Sequence, residues 1–470
     1  MSTPAPAGNA PSGSAAAPSP RSGLSWLKTD DGWAIVLGLG LVAAAALALA
    51  GGTSLRWVAV APQKWAQPQE ALAQLATQAP RYLALLLLWL LAFGAATRAL
   101  GLRLAAFVPA FLFVFAASTA IVTLGAWSQA ERFNLEPPLV ALALGLLCAN
   151  LLRLPAWLDA GFRVELYVKT GIVLLGATLP LTLLLSAGPV AIAQAAVISL
   201  ATYGIIFWVA RRLGIDPRFA ATLGAGGAVC GVSAAIAVAS AVGARREQGP
   251  VTITIVVFWA IVMIFVLPLA ARALLLPTGV AGAWIGTSEF ADAAGFAAAQ
   301  TYGGYAGQVP GIAGSADAAV NAFTLMKVIG RDLWIGIWAF VLSIVAAARW
   351  GDTGVRREVR ASEIWRRFPK FVIGFVLASL AIAVLAAGVG AADTNRVLKP
   401  ELIAPLKTLR TWAFTFCFLS IGLSTRWRDL AQAGARPFLA FSAGVAVNVA
   451  LGFLLSAVVF GSYWAAFGAP

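Results

Sequence analysis

The chain has 470 residues, 60% hydrophobic and 11% charged, with a mean hydropathy of +0.86, where a soluble domain carries about 25% charged residues. Its net charge is +14, from 33 Lys and Arg against 19 Asp and Glu, and it has no histidine. That excludes imidazole metal sites, Ser-His or Cys-His nucleophiles and histidine proton relays, and the basic residues fall where the positive-inside rule puts them rather than on a nucleic-acid-binding face.

Residues 1–23 are Ala, Pro, Ser and Gly, a composition expected to be a disordered tail. The first apolar run begins near Trp33 and is too long for a signal-peptide core. Residues 24–130 read as an N-terminal extension with three spans, 32–50, 81–98 and 105–127, and an interfacial segment over Thr53 to Pro80. Residues 131–470 read as a transporter core. Its spans are 137–152, 166–186, 190–210, 251–275, 317–348, 369–390, 409–425 and 437–461. The expected fold is therefore an all-α polytopic membrane protein with about eleven transmembrane helices. Two Gly-rich segments, 217–243 and 283–305, stand outside that set as broken or re-entrant elements. Cys148, Cys230 and Cys417 sit in apolar stretches at no metal-binding spacing, so no metal or cofactor is expected.

The loop from Arg349 to Lys370 carries seven basic residues and anchors one end in the cytoplasm. If both Gly-rich segments are hairpins, Arg98, Arg103, Arg153, Arg163, Arg211, Arg212, Arg245, Arg246, Arg426 and Arg428 share that side. The uncharged turn at Ala187-Gly188 and the C-terminus then fall outside, with the N-terminus cytoplasmic. An internal repeat also emerges: Pro137 to Gly145 resembles the stretch from Pro369, and Gly176, Gly188 and Pro189 correspond to Gly422, Gly434 and Pro437. These spans run in opposite directions, the inverted-repeat logic of secondary transporters, here in a circularly permuted order.

The first Gly-rich segment contains Gly226, Gly227, Cys230, Gly231 and Ser233, and its tip is expected to offer backbone amides to an anion. The second contains Thr287, Ser288, Glu289 and Asp292. Acids at bilayer depth are functional candidates, and at i,i+3 these two would share a helical face, with Asp292 the more buried. Downstream, Asn321, Lys327 and Arg331 lie in one span, with Asp332 adjacent. The i,i+4 spacing puts both cations on one face, where they can neutralise Asp292 or receive an anion. Lys169 lies near a span end and is expected to snorkel toward headgroups, while Asn150 and Asn448 suit interhelical hydrogen bonds as well as a site.

Three stretches resemble the YeiH-type bacterial inner-membrane family, often labelled sulfate exporters. They are Lys169 to Leu179, the Cys230-Gly231-x-Ser233-Ala-Ala segment, and Ile285-Gly-Thr-Ser-x-x-Asp292 followed by Ala297-Ala-Ala. The basic helix with Lys327 and Arg331 is similar as well, and the resemblance spans residues 137 to 460. It implies a secondary carrier with inverted repeats, distantly similar to bile-acid symporters and citrate carriers. The expected function is secondary active transport of a small anion (sulfate, a sulfonate or a carboxylate) by alternating access. Lys327, Arg331, Asn321 and the two tips bind substrate, and Asp292 and Glu289 couple it to H+ or Na+. A homodimer in a bacterial inner membrane is compatible with this. The alternatives are an anion channel or passive pore and a sodium- or proton-coupled organic anion symporter. An intramembrane enzyme finds no nucleophile–base pair, and no ATP-binding Walker motif occurs.

Overall fold

The computed structural model describes residues 25–130, 137–179, 181–350, 369–426, 428 and 434–467. The tail 1–23 and most of the 349–370 basic loop lie outside them. The helices are α1 (Asp30–Ala50), α2 (Pro68–Thr77), α3 (Ala79–Ala99), α4 (Leu104–Gly125), α5 (Pro137–Leu151), α6 (Val164–Gly176) and α7 (Leu181–Arg212). Then come α8 (Pro217–Ala228), α9 (Val232–Val242), α10 (Gln248–Ala273), α11 (Thr278–Ser288), α12 (Asp292–Gly304), α13 (Ala316–Thr324) and α14 (Trp334–Arg349). The last are α15 (Phe371–Asp393), α16 (Ala404–Ser424), α17 (Ala435–Phe453) and α18 (Gly461–Ala466). Wide π turns follow α13 (Leu325–Arg331), α15 (Thr394–Ile403) and α17 (Leu454–Val459). Among the described residues there is no strand, only an isolated bridge between Trp65 and Trp127.

The architecture is the expected all-α polytopic one, since in hydrocarbon a helix satisfies its backbone groups internally. Among the described residues eight helices, counting α13 to α14 as one continuous run, are long and apolar enough to cross a membrane. The helix at 137–151 falls short of that length and the one at 164–176 is shorter still, so the expected eleven full spans are not all of one kind.

One expected boundary is wrong. The turn placed at Ala187-Gly188 does not exist. The helix α7 is continuous for 32 residues, through Ala187, Gly188 and Pro189, and is about 48 Å long. The preceding helix, α6, ends earlier, at Gly176. Proline costs a helix one hydrogen bond, but packed membrane helices tolerate that, so Pro189 misled as a helix start. Gly188 and Gly434 are consequently not equivalent: Gly188 is mid-helix, whereas Gly434 precedes α17 with φ 81°.

The repeat itself has a counterpart in packing. Gly145 of α5 lies against Gly422 of α16, where an added Cβ would come 2.8 Å from the Gly422 Cα. Gly176 of α6 lies against α15, where a Cβ would collide with the Phe375 carbonyl. Each repeat thus supplies one member of each close glycine crossing, the small-residue contact that lets membrane helices approach. Asn150 Nδ2 donates to Thr425 O at 3.0 Å and Asn448 Nδ2 to Thr202 Oγ1 at 2.9 Å, so both asparagines make interhelical bonds.

The N-terminal helix is bound to the core by charge. Thr29 caps α1 by accepting from Gly32 N, and Asp30 and Asp31 occupy its first turn, where the helix dipole favours anions. Asp30 then pairs with Arg163 Nη2 at 2.8 Å, and Asp31 with Lys169 Nζ at 2.7 Å. Lys169 also meets Glu165 at 2.9 Å. Lys169 therefore does not snorkel: its side chain is only 13% exposed and holds two carboxylates. Aromatic packing among Trp89, Phe93, Phe111, Tyr167 and Phe416 joins α3, α4, α6 and α16 beside it.

The two Gly-rich segments are hairpins. Arg218 at the start of α8 donates from Nη1 to Gly243 O just after α9 (3.4 Å) and from Nη2 to Trp350 O after α14 (2.7 Å). The two ends of the α8–α9 pair therefore meet, at the end of the molecule that also holds Arg349. In the α11–α12 pair, Tyr302 Oη near the end of α12 donates to Leu276 O just before α11, at 2.6 Å. The helix α10, 26 residues and about 39 Å long, separates the two mouths, so the hairpins enter from opposite ends.

Candidate functional site

Each half of a hairpin has 11 to 13 residues, so it rises about 16–20 Å, roughly half of a 30 Å hydrocarbon core. The tips therefore meet deep in the protein, where broken backbone must find partners. At the first tip Val229 and Gly231 leave helical geometry, Gly231 with φ 72°. A Cβ at Gly231 would stand 2.5 Å from Val256 Cγ1 and 2.6 Å from Phe290 O of the second tip. At the second tip Glu289 ends α11 in extended backbone and α12 starts at Asp292. The break thus falls between the two acids, which do not share the helical face their spacing implies.

Lys327 and Arg331 lie in the π turn after α13, are fully buried, and bond both tips at once. Lys327 Nζ donates to Val229 O and to Glu289 O, each at 3.0 Å. Arg331 Nη2 donates to Gly227 O at 3.1 Å, while Nη1 donates to Thr287 O at 2.7 Å and Glu289 O at 2.8 Å. These carbonyls end α8 and α11, where the helix dipole is negative and acceptors lack intrahelical donors. The tips therefore present carbonyls to protein cations, not the amides to an anion that the glycines led us to expect. The amides of Phe290 and Ala291 are themselves taken by Glu289 Oε1, at 2.8 and 3.2 Å.

The expected order of acid burial is reversed. Glu289 is 0% exposed, whereas the Asp292 side chain is 18% exposed and stands 3.7 Å from Lys327 Nζ. Glu289 folds back on its own chain to cap the bare amides after the break, which draws it inside. Its Oε2 has no hydrogen-bond partner.

The remaining residues divide. Gly226 and Gly227 are packing positions, against Thr252 and Ile206 respectively, and Gly227 also lends its carbonyl to Arg331. Cys230 is buried and Ser233 half-buried beside the first tip. The Thr287 hydroxyl donates to Trp284 O at 2.7 Å, and both Thr287 and Ser288 side chains abut Gly452 of α17, so neither hydroxyl is turned to the cations. Asn321 is half-buried, and no hydrogen bond joins its side chain to either tip among the described residues. The residue underweighted from sequence is Asp332, fully buried with neither carboxylate oxygen partnered. An acid next to Arg331 in an apolar span was its visible signal.

Comparison with known proteins identifies the family. The profile of the family described as conserved hypothetical protein 698 matches residues 109–441, the YeiH-type family that the sequence resembles. A UPF0324 membrane protein of Rhodopirellula baltica is 32% identical over 379 residues, 78% of this chain and 66% of that protein. Two UPF0324 membrane proteins of Nitratidesulfovibrio vulgaris are similar. One is 33% identical over 67% of this chain and 81% of its own length, the other 29% over 75% and 59%. The chain spans 66% of the length of the Rhodopirellula relative and 59% of that of the 29% identical Nitratidesulfovibrio one. No solved structure matches the chain.

Proposed function

The chain belongs to the conserved hypothetical protein 698 family of membrane proteins, and from that premise we propose that it is a secondary transporter of a small anion. Sulfate, a sulfonate or a carboxylate fits the reading, moved by alternating access. The observation that carries it is that Lys327 and Arg331 bond the backbone of two hairpins entering from opposite ends. Each carbonyl bond is an interaction that an anion's oxygens can replace in kind. An arriving anion exchanges places with carbonyls of one tip, keeps the cations satisfied, and frees that hairpin to part from the other. Opening one side at a time follows, because a bare buried cation is costly and each cation needs either tip or substrate.

Glu289, Asp292 and Asp332 supply the coupling. Glu289 Oε2, Asp292 Oδ1 and both oxygens of Asp332 are buried without a hydrogen-bond partner, and a proton or Na+ joining them would supply one. The site then loads a cation with the anion. We place the protein in a bacterial inner membrane with the Arg211, Arg212, Arg218 and Arg349 end in the cytoplasm and the C-terminus periplasmic. Flux of labelled sulfate, sulfonates and dicarboxylates into proteoliposomes, with and without pH or Na+ gradients, tests it. Saturable uptake with counterflow is expected. Single-channel currents in planar bilayers, with no counterflow, would instead make the protein a pore.

A further inference from the structure

We propose that Arg410, with the Thr178 hydroxyl, forms a second anion-binding site, set toward the mouth of the α11–α12 hairpin and separated from the tips by the Phe296–Phe414 ring pair. It rests on the transport reading for its purpose, but its chemistry is independent of that reading.

Arg410 differs from Arg331 at the ends of its fork: Arg331 bonds tip carbonyls through both Nη1 and Nη2, although its Nε too lacks a partner. Arg410 is only 6% exposed, yet Nη1 makes a single hydrogen bond, to Thr178 Oγ1 at 2.7 Å, and Nε is buried with no partner. No carboxylate pairs with it among the described residues. The charge of Asp317 reaches it, but both oxygens of that carboxylate are held by Lys407 Nζ, at 2.7 and 2.9 Å. A guanidinium presents several donors in a planar fork. Buried with most of them unused and its charge unpaired, it destabilises the protein until an anion joins it. Two oxygens of a sulfate, sulfonate or carboxylate match the fork, and the Thr178 hydroxyl, which donates to Leu175 O at 2.9 Å and accepts from Nη1, fixes the orientation of the guanidinium.

Its place in the fold gives the site a role. Lys407 meets Asp317 at the start of α13, and Gly303 near the end of α12 packs on Ala316 beside it. This is the mouth of the second hairpin. Going inward along α16, Arg410 is the next turn and Phe414 the one after. The Phe414 ring stacks on Phe296 with centroids 3.6 Å apart, and Phe296 is one helical turn from Asp292 on α12. A Cβ at Gly171 of α6 would come 2.8 Å from Phe414 Cε1, so the ring is boxed in on that side. From mouth to tip the order is therefore Arg410, the ring pair, then Asp292 with Lys327. An anion entering from that mouth meets Arg410, which bonds neither tip, before it meets the two cations that bond both tips.

Sulfate binding to the purified protein in nanodiscs tests the proposal, followed by calorimetry and by thermal unfolding, with chloride at matched ionic strength as the control. A saturable sulfate-dependent rise in Tm is expected for the native chain. Arg410→Met should weaken sulfate at least roughly tenfold without lowering the sulfate-free Tm, because an unpaired buried charge is removed. Sulfate affinity unchanged in Arg410→Met overturns the site, as does equal stabilisation by chloride. Should that variant fail to fold, Arg410→Lys decides: the loss of the fork should cost affinity, and unchanged affinity overturns the proposal. Proteoliposome flux separates the two readings. Arg410-dependent sulfate binding without saturable flux would sink the transporter and leave the site, and saturable flux with Arg410-independent binding would do the reverse.

Discussion

The two hairpins share a backbone plan and differ in side chains. Each is a pair of short helices whose outer ends meet, and their tips touch where Gly231 faces Phe290 O. Both lend terminal carbonyls to the same two cations. Between its helices the first break carries only Val229, Cys230 and Gly231. The second carries Glu289, which caps its own amides, and leads into Asp292. Symmetry therefore resides in the carbonyls that close the site, and asymmetry in acids found on one side only. Closure is a property of the pair, while ion coupling is assigned to the second hairpin and to Asp332.

Breaking the shared element should have the largest effect. Arg331→Met leaves Gly227, Thr287 and Glu289 carbonyls short of donors at both tips. Removing one partner of a buried charged set costs about 3–5 kcal/mol, and flux should fall at least ~100-fold in proportion to such a loss. Arg331→Lys should rescue little, because a lysine lacks the planar fork that reaches Gly227 O from Nη2 while Nη1 holds Thr287 O and Glu289 O. Thermal unfolding together with flux checks this, and a folded Arg331→Lys protein with native flux would show that the bridge between tips is dispensable.

A smaller loss should distinguish the tips by their backbones. Gly231→Ala places a side chain at φ 72°, ψ −101° and against Phe290 O, a strained position costing about 1–3 kcal/mol. Gly226→Ala meets its nearest atom, Thr252 Cγ2, at 3.1 Å in ordinary helical geometry, and should cost less than about 1 kcal/mol. Comparing the two in chemical denaturation asks whether the break or merely the glycine density matters. Equal costs would reduce the first tip to small-residue packing.

How far the sequence could be read follows the same division. Helices, the breaks, their hairpin geometry and the depth of Lys327 and Arg331 in the fold were legible, because apolar length, clustered glycine and charge at membrane depth each have one dominant physical cause. Partner identity was not. A glycine-rich break exposes amides and carbonyls together, and which of them faces the cations depends on where α13 and its π turn pass. Nor could spacing reveal that Glu289 turns back on its own chain, since that needs the extended backbone at residues 289–291. Pro189 misled for a related reason: whether a proline starts a helix or sits inside one is decided by the neighbours that pack on it.

The finest test of the asymmetry compares the two acids. Glu289→Gln keeps an acceptor at the position of Oε1, so the amides of Phe290 and Ala291 stay capped, and the change in stability should be within about 1 kcal/mol. What it removes is the charge. If Glu289 carries the coupling ion, the variant should retain sulfate counterflow yet lose its response to a pH or Na+ gradient. Asp292→Asn should act more weakly on both, because that side chain is 18% exposed and stands 3.7 Å from Lys327 Nζ, beyond hydrogen-bond reach, whereas Glu289 is fully buried. Gradient-driven flux and counterflow measured on both variants rank the two acids directly. A native gradient response in Glu289→Gln with loss in Asp292→Asn would move coupling from the fully buried acid at the break to the partly buried one at the helix start. The deep carboxylate would then be only a cap for the backbone it folds over.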